Sequence, residues 1–182
     1  MQLQPLYQRA IIFAGLKHAE NNQLIPGSKL PYIVHVSNVA MEILVTSQYS
    51  PNWDVEFAIQ VALLHDTLED TSATYEEIVL QFGEEVAQGV LALTKNEALP
   101  KQEQLLDGLN RIKEQPIEVW SVKLADRITN LQEPPEYWTT EKRMVYRQEA
   151  IMMLDILKGC NEYLEARLKS EIENYEKYIN NN

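Results

Sequence analysis

The chain has 182 residues, a formal net charge of −11 and a single cysteine, Cys160. This length supports one domain with a sizeable core, and the charge disfavours bulk nucleic-acid binding, because an acidic surface repels a phosphate backbone. A lone cysteine excludes an intrachain disulfide and a thiolate zinc cluster, no apolar run reaches the roughly 18 residues of a membrane span, and the N-terminal sequence lacks a secretion signal, so we expect a cytoplasmic protein.

The apolar spacing predicts helices along the whole chain and no convincing strand, which makes the expected fold all-α. In chain order, the predicted helices cover about 6–21, a segment opening near Pro31, 57–66, a short helix capped by Thr74, 86–94, segments opening at Pro100 and Pro116, 140–158 and 161–179. We expect residues 1–182 to form a single domain with a motif-bearing core at about 10–150. The C-terminal helices, about 140–180, are expected to pack on that core.

The last predicted helix carries an apolar stripe. Leu164, Leu168 and Ile172 recur at helical spacing and are followed by Tyr175 or Tyr178. We favour core packing for this stripe. A homodimer contact is the alternative.

The stretch 63–70 organises the rest of the chain. An apolar helix ends there in His65 and Asp66, and Glu69 and Asp70 follow within one turn. Unpaired carboxylates at the edge of a core are strongly disfavoured unless a cation or a proton offsets their charge. The simplest offset is a metal ion.

Two more residues could complete such a site. His35 lies near the start of the second predicted helix, and Asp126 interrupts the apolar helix that follows Pro116. An ion pair with Lys123 or Arg127 is the alternative for Asp126. His18, alone on an apolar face, is expected to be a hydrogen-bonded core histidine.

The predicted ligand set combines two imidazoles and two carboxylates from three helices: His35, His65, Asp66 and Asp126. This set suits manganese, iron or zinc. Such an ion lowers the pKa of a bound water and polarises a phosphoryl oxygen.

Glu69 and Asp70 could orient a water or move protons. If the helix continues past Asp66, both acids share faces with the His65-Asp66 pair. The alternative is that they only terminate the helix. Asn130 follows Asp126 by one turn and could donate to a phosphate or ribose oxygen. Lys123 could supply a nearby cation, but a solvated lysine is the expectation.

Three motifs resemble the HD-domain phosphohydrolases, and most closely the hydrolase domain of RelA/SpoT-type alarmone enzymes. They are PYIVH at 31–35, ALLHDTLEDT at 62–71 and VKLADRITNL at 122–131. The resemblance implies an all-helical fold, manganese, and hydrolysis of the 3′-pyrophosphate of guanosine tetra- or pentaphosphate, (p)ppGpp. It implies metal binding by the four ligands above, support of the attacking water by Glu69 and Asp70, and substrate contact by Asn130.

In short, hydrolase-only members, Lys101, Lys142 and Tyr146 align with substrate-contacting positions. The alternative is surface lysines and a core tyrosine. Related enzymes often carry His-x-x-Gln-x-Arg after the first helix, whereas this chain has no arginine between His18 and Gln23, and Lys29 is a possible substitute. The length resembles a stand-alone small alarmone hydrolase.

Two other functions remain open on the sequence. One is an HD-type phosphohydrolase acting on another nucleotide, such as the 2′-phosphate of NADPH. The other is a nucleotide-binding regulator with a structural metal.

Overall fold

The computed structural model describes residues 3–180, and these residues form helices and turns without a β-strand. The helices are α1 (Leu3–Glu20), α2 (Ile33–Ser47), α3 (Val55–Leu64), α4 (Thr67–Asp70), α5 (Tyr75–Phe82), α6 (Glu84–Leu93), α7 (Lys101–Lys113), α8 (Ile117–Asn130), α9 (Thr140–Ile156), α10 (Glu162–Asn174) and α11 (Lys177–Asn180). The all-α prediction is confirmed. Residues 1–2 and 181–182, which the single-domain prediction includes, lie outside the described part of the chain.

Helix α3 is the centre of the core. Every residue from Phe57 to Leu64 is buried, and α1, α2, α6 and α8 pack around the helix. The Asp54 side chain accepts a hydrogen bond from the Phe57 N–H at 2.9 Å and so caps the first turn. Such a cap contributes about 1 kcal/mol to stability. A helix this deeply buried has a fixed end point, which places the residues that follow it.

The helix is interrupted at His65 and Asp66. A continuous helix would have put Glu69 and Asp70 on the same faces as this pair. His65 ends α3, and Asp66 (φ −101°, ψ 0°) precedes the one-turn helix α4. The condition of a helix that continues past Asp66 is therefore not met. The consequence is that α4 can aim its two acids independently of α3.

The predicted helix at 161–179 is also interrupted, because the chain turns after Asn174 and resumes as α11. The apolar stripe lies inside, with Leu164 and Leu168 fully buried, and α10 packs against α8 and α9. Core packing, the favoured reading of the stripe, is what the structure shows. Within residues 3–180 no helix combines the length and apolarity needed to cross a membrane.

The loop between α1 and α2 passes close to the segment that follows α8. Gly27 has φ +77°, and a Cβ on it would lie 2.9 Å from the Pro135 side chain. Glycine satisfies both the positive φ and the close approach. The backbone N–H of Tyr32 also donates to the Gln23 carbonyl at 3.0 Å, which closes the loop.

Candidate metal centre

The four predicted metal ligands come from three separate parts of the core. His35 lies in the first turn of α2, His65 and Asp66 lie between α3 and α4, and Asp126 lies in α8. Helix α2 packs on both α3 and α8, which brings these positions to one place. Both histidines and Asp126 are buried, and Asp66 is partly buried.

The distances define a compact cluster. One ligand atom each from His35, His65 and Asp126 lie within 4.8 Å of one another. The Asp126 Oδ1 atom is 3.3 Å from His35 Nε2 and 3.7 Å from His65 Nε2. Asp66 Oδ2 is 3.0 Å from His65 Nε2 and 3.7 Å from His35 Nε2, so it completes the group beside the same two imidazoles.

The imidazole nitrogens that face this cluster have no properly oriented hydrogen bond. The Nε2 atoms of His35 and His65 are buried without a hydrogen-bond partner among the described residues. His65 Nδ1 lies 2.8 Å from the Ala62 carbonyl oxygen, which can only accept, so Nδ1 carries the proton. In the neutral form of His65, the Nε2 lone pair therefore points at the cluster, which is the arrangement of a metal-ligating histidine.

The electrostatics of the cluster favour a cation. Burial alone would lower the pKa of His65, but the adjacent Asp66 carboxylate, together with Asp126, raises that pKa well above its usual value. Burial likewise opposes ionisation of Asp126, yet Lys123, His35 and His65 hold its pKa well below the ordinary range. A site that binds a proton this readily also suits a divalent ion, because the same carboxylates attract both. The donor set and the geometry fit a divalent metal site.

Second contacts hold the two aspartates in place. Tyr32 Oη donates to Asp66 Oδ2 at 2.5 Å, and Asn130 Nδ2 donates to Asp126 Oδ1 at 2.6 Å. Lys123 Nζ lies 3.2 Å from Asp126 Oδ2 with its side chain 19% exposed, so the expectation of a solvated lysine is wrong. The ion pair considered as the alternative for Asp126 is present alongside the cluster.

The two acids of α4 have different hydrogen-bond partners. The Glu69 carboxylate accepts from the Lys95 backbone N–H at 3.0 Å and forms an ion pair with the Lys95 ammonium. The Asp70 Oδ2 atom accepts from Gln23 Nε2 at 2.9 Å. Burial and the neighbouring Asp66 raise the pKa of Asp70. Both acids are thus oriented by partners outside the four-residue cluster.

The comparison with protein families decides the classification. A family model described as HD domain matches residues 10–152. The chain belongs to the HD-domain family. Its matched segment contains the whole cluster and both acids of α4.

Relatives within this family are similar over most of the chain. A guanosine-3′,5′-bis(diphosphate) 3′-pyrophosphohydrolase, MESH1 of Xenopus tropicalis, is 35% identical over 167 residues, which is 90% of each chain. MESH1 of Homo sapiens is 33% identical and the alignment covers 86% of this chain and 87% of that protein. A solved structure, described as a metazoan ortholog of SpoT that hydrolyzes ppGpp and plays a role in starvation responses, superposes with a TM-score of 0.79 at 29% identity over 96% of both chains.

Beside the metal centre, this HD domain has a cleft of about 140 Å³ between α6, α7, α8 and α9. Its lining includes apolar side chains, among them Leu93, Leu109 and Met153. It also includes four cationic side chains and one acidic one: Lys95, Lys101, Lys123, Arg127 and Glu149. Lys95 and Lys123 also contact Glu69 and Asp126, so the cleft adjoins the acids. Arg127 is likewise ion-paired, with Glu149 at 3.4 Å. Within residues 3–180, Lys101 is the one lining cation for which the structure shows no ion pair, so it is the cation available to attract an anionic ligand.

The residues predicted to contact substrate fall into two groups. Lys101 lines the cleft, and Asn130 is exposed next to the metal centre. Lys142 and Tyr146 instead flank Trp138. The Lys142 ammonium lies 4.3 Å from the centroid of the Trp138 ring, and the Tyr146 and Trp138 rings meet edge to face. The Tyr146 ring also lies 4.0 Å beneath the guanidinium of Arg127, which links it to the cleft wall. A substrate role for these four residues stays a prediction.

The region after α1 shows where the usual arginine is missing. His18 is buried and hydrogen-bonded to Gln23, as expected of a core histidine, and Lys29 is exposed on the loop. The sequence interpretation assigned no role to Tyr32, Lys95 or Gln23. Tyr32 sits within a quoted motif, whereas the partners of Lys95 and Gln23 lie 26 and 47 residues away, so no local pattern marks them.

Proposed function

We propose that this protein hydrolyses the 3′-pyrophosphate of (p)ppGpp to give GDP or GTP and pyrophosphate. The observation that carries the proposal is the similarity to (p)ppGpp 3′-pyrophosphohydrolases over nine tenths of the chain. The HD cluster and the cationic cleft supply groups suited to a phosphorylated substrate. We further propose that residues 1–182 act as one hydrolase domain, since the comparisons extend along most of it.

We propose manganese as the metal and His35, His65, Asp66 and Asp126 as the residues that hold it. Two buried imidazole nitrogens that have no partner within residues 3–180 support this assignment, as do the two carboxylates beside them. When bound, the ion supplies Lewis-acid chemistry at a phosphoryl oxygen and lowers the pKa of water. Iron or zinc would satisfy the same donor set.

The chain's own residues would provide the proton chemistry. Asp70, whose pKa is raised, is the better proton acceptor of the two acids of α4. Glu69, which pairs with Lys95, would orient the attacking water. Lys101 and Arg127 would offset the phosphate charge along the cleft, and Asn130 would donate to a substrate oxygen.

The cellular location and the oligomeric state are also proposals. The lone thiol of Cys160 suits a reducing compartment. We therefore propose a cytoplasmic enzyme. A homodimer stays a prediction.

The test is product analysis with each candidate substrate. Protein loaded with manganese is incubated with ppGpp, and pyrophosphate and GDP are quantified; parallel reactions contain NADPH. We expect stoichiometric pyrophosphate and GDP from ppGpp. Phosphate release from NADPH alone would contradict the (p)ppGpp assignment in favour of the other substrate, and tight nucleotide binding without any product would indicate the non-catalytic regulator.

A further inference from the structure

Helix α4 is a single turn, so contacts from outside must set the direction of its acids. For Asp70, the end of α1 and the loop that follows provide them. Asn21 Nδ2 donates to the Asp70 carbonyl at 3.0 Å, and Ser72 Oγ donates to Glu20 Oε2 at 2.8 Å. The contact that reaches the Asp70 carboxylate itself is the 2.9 Å hydrogen bond from Gln23 Nε2.

The orientation of the Gln23 amide follows from its two partners. An ionised carboxylate only accepts hydrogen bonds, so the amide NH₂ must face Asp70 and the amide oxygen must face His18. That oxygen lies 2.6 Å from His18 Nδ1, which must then carry the ring proton. Burial lowers the pKa of His18, and its Nε2 atom is buried without a partner among the described residues. A neutral His18 with the proton on Nδ1 satisfies the contact with Gln23 and leaves no N–H of the ring buried without an acceptor.

The Gln23 side chain is not needed to hold the loop. The Gln23 backbone N–H donates to the His18 carbonyl at 3.1 Å, and its carbonyl accepts from the Tyr32 N–H at 3.0 Å. These main-chain bonds keep the loop closed whatever the side chain is. The amide is therefore available for another contact, and its carboxylate partner within the described part of the chain is Asp70 of α4.

We propose that Gln23 is a positioning residue that fixes the Asp70 carboxylate for proton transfer, with its own amide orientation set by His18. This inference rests on the proposed function, since it assigns Asp70 a part in hydrolysis. It also gives a role to the position where related enzymes carry arginine. Loss of the amide would leave Asp70 in place but free to rotate.

The first test is steady-state kinetics of Gln23→Met, which keeps the side-chain length but cannot donate. We expect kcat for ppGpp to fall about 10- to 100-fold, because misplacing a catalytic group by about 1 Å costs rate of this order, while KM changes less than about threefold. Gln23→Glu keeps the acceptor for His18 but sets a second carboxylate against Asp70, and we expect a loss at least as large. Ser72→Ala is the matched control, since it breaks a bond between the same two segments without touching Asp70, and it should keep wild-type kcat.

The second test does not depend on turnover. Long-range ¹H–¹⁵N correlation spectra of the zinc-loaded protein at pH 7.5 report which His18 nitrogen carries the proton. We expect the Nδ1–H tautomer in wild type and its loss in Gln23→Met. Manganese content should be unchanged in every variant.

The outcomes separate the two claims. If wild type releases no pyrophosphate from ppGpp, the proposed function fails regardless of Gln23. If wild type is active and either folded Gln23 variant retains its kcat, Gln23 does not position Asp70. A wild-type His18 protonated on Nε2 would equally overturn the proposal.

Discussion

Removing one hydroxyl tests whether Tyr32 supports the metal centre. The Tyr32 ring lies between His18 and His35, with centroids 4.8 and 5.0 Å away, and its hydroxyl donates to Asp66 Oδ2 at 2.5 Å. Tyr32→Phe deletes that hydrogen bond and keeps the ring. Asp66 then loses the group that orients its carboxylate.

The expected loss of metal affinity follows from the kind of hydrogen bond that is removed. A hydrogen bond to a charged group contributes about 1.5–3 kcal/mol, and 1.4 kcal/mol is a factor of ten. We therefore expect metal affinity to fall about 10- to 100-fold, the usual consequence of losing an outer contact to a ligand. The short length and the partial burial of the bond place it within this range rather than below it.

Thermal unfolding with and without manganese measures this change. At a manganese concentration 100 times the wild-type Kd, metal binding raises the free energy of unfolding of wild type by about 2.7 kcal/mol. For a variant that binds about 30-fold more weakly, the increase is about 0.9 kcal/mol. For a chain of this length the metal-induced rise in Tm should be smaller in the variant by about 4–7 °C.

The matched control is Tyr75→Phe, which removes a tyrosine hydroxyl that donates to the exposed Glu84 carboxylate at 2.7 Å, away from the metal centre. Its metal-induced shift should equal that of wild type. An undiminished shift in Tyr32→Phe would refute the reasoning, because Asp66 would then bind metal without this support.

Three further predictions concern different parts of the chain. The double variant Glu69→Gln/Asp70→Asn should retain manganese and ppGpp binding by calorimetry and lose turnover; unchanged kcat would remove both acids from the mechanism. Gly27→Ala should lower the free energy of unfolding by about 2–4 kcal/mol, because the position has a positive φ and the new Cβ would clash with the Pro135 ring. Urea denaturation measures this, and Gly159→Ala is the control, because Gly159 also has a positive φ but open space around it. Burial raises the pKa of Cys160 from 9.0 to about 12, so stability should decline as pH rises above 9, and iodoacetamide at pH 8 should label folded protein far more slowly than unfolded; equal rates would contradict that burial.

The site was predictable where chemistry and local pattern coincide. His65 and Asp66 end a buried apolar helix, and charge in that position demands a partner, so the sequence already indicated a metal. His35 and Asp126 interrupt apolar helices in the same way, and the structure places both beside the pair. Periodicity also predicted the all-α fold, which the structure confirms. The residue types at 74–77 predicted a helix cap at Thr74, and the structure shows that this cap is a capping box with Glu77.

What could not be predicted depends on tertiary contacts. The break between α3 and α4 leaves the apolar pattern unchanged, so periodicity could not reveal that Glu69 and Asp70 occupy a separate turn. Nothing in the sequence distinguishes Lys123 from a solvated lysine. Only the structure shows that its ammonium lies beside Asp126. Lys95 and Gln23 reach the two acids of α4 across loops, at separations over which a single sequence carries no signal of contact.

The most direct test of the central claim is anomalous diffraction at the manganese absorption edge from crystals soaked in manganese. The account predicts one strong peak bonded to His35, His65, Asp66 and Asp126 together. A peak elsewhere, or none at that position under saturating manganese, would contradict it.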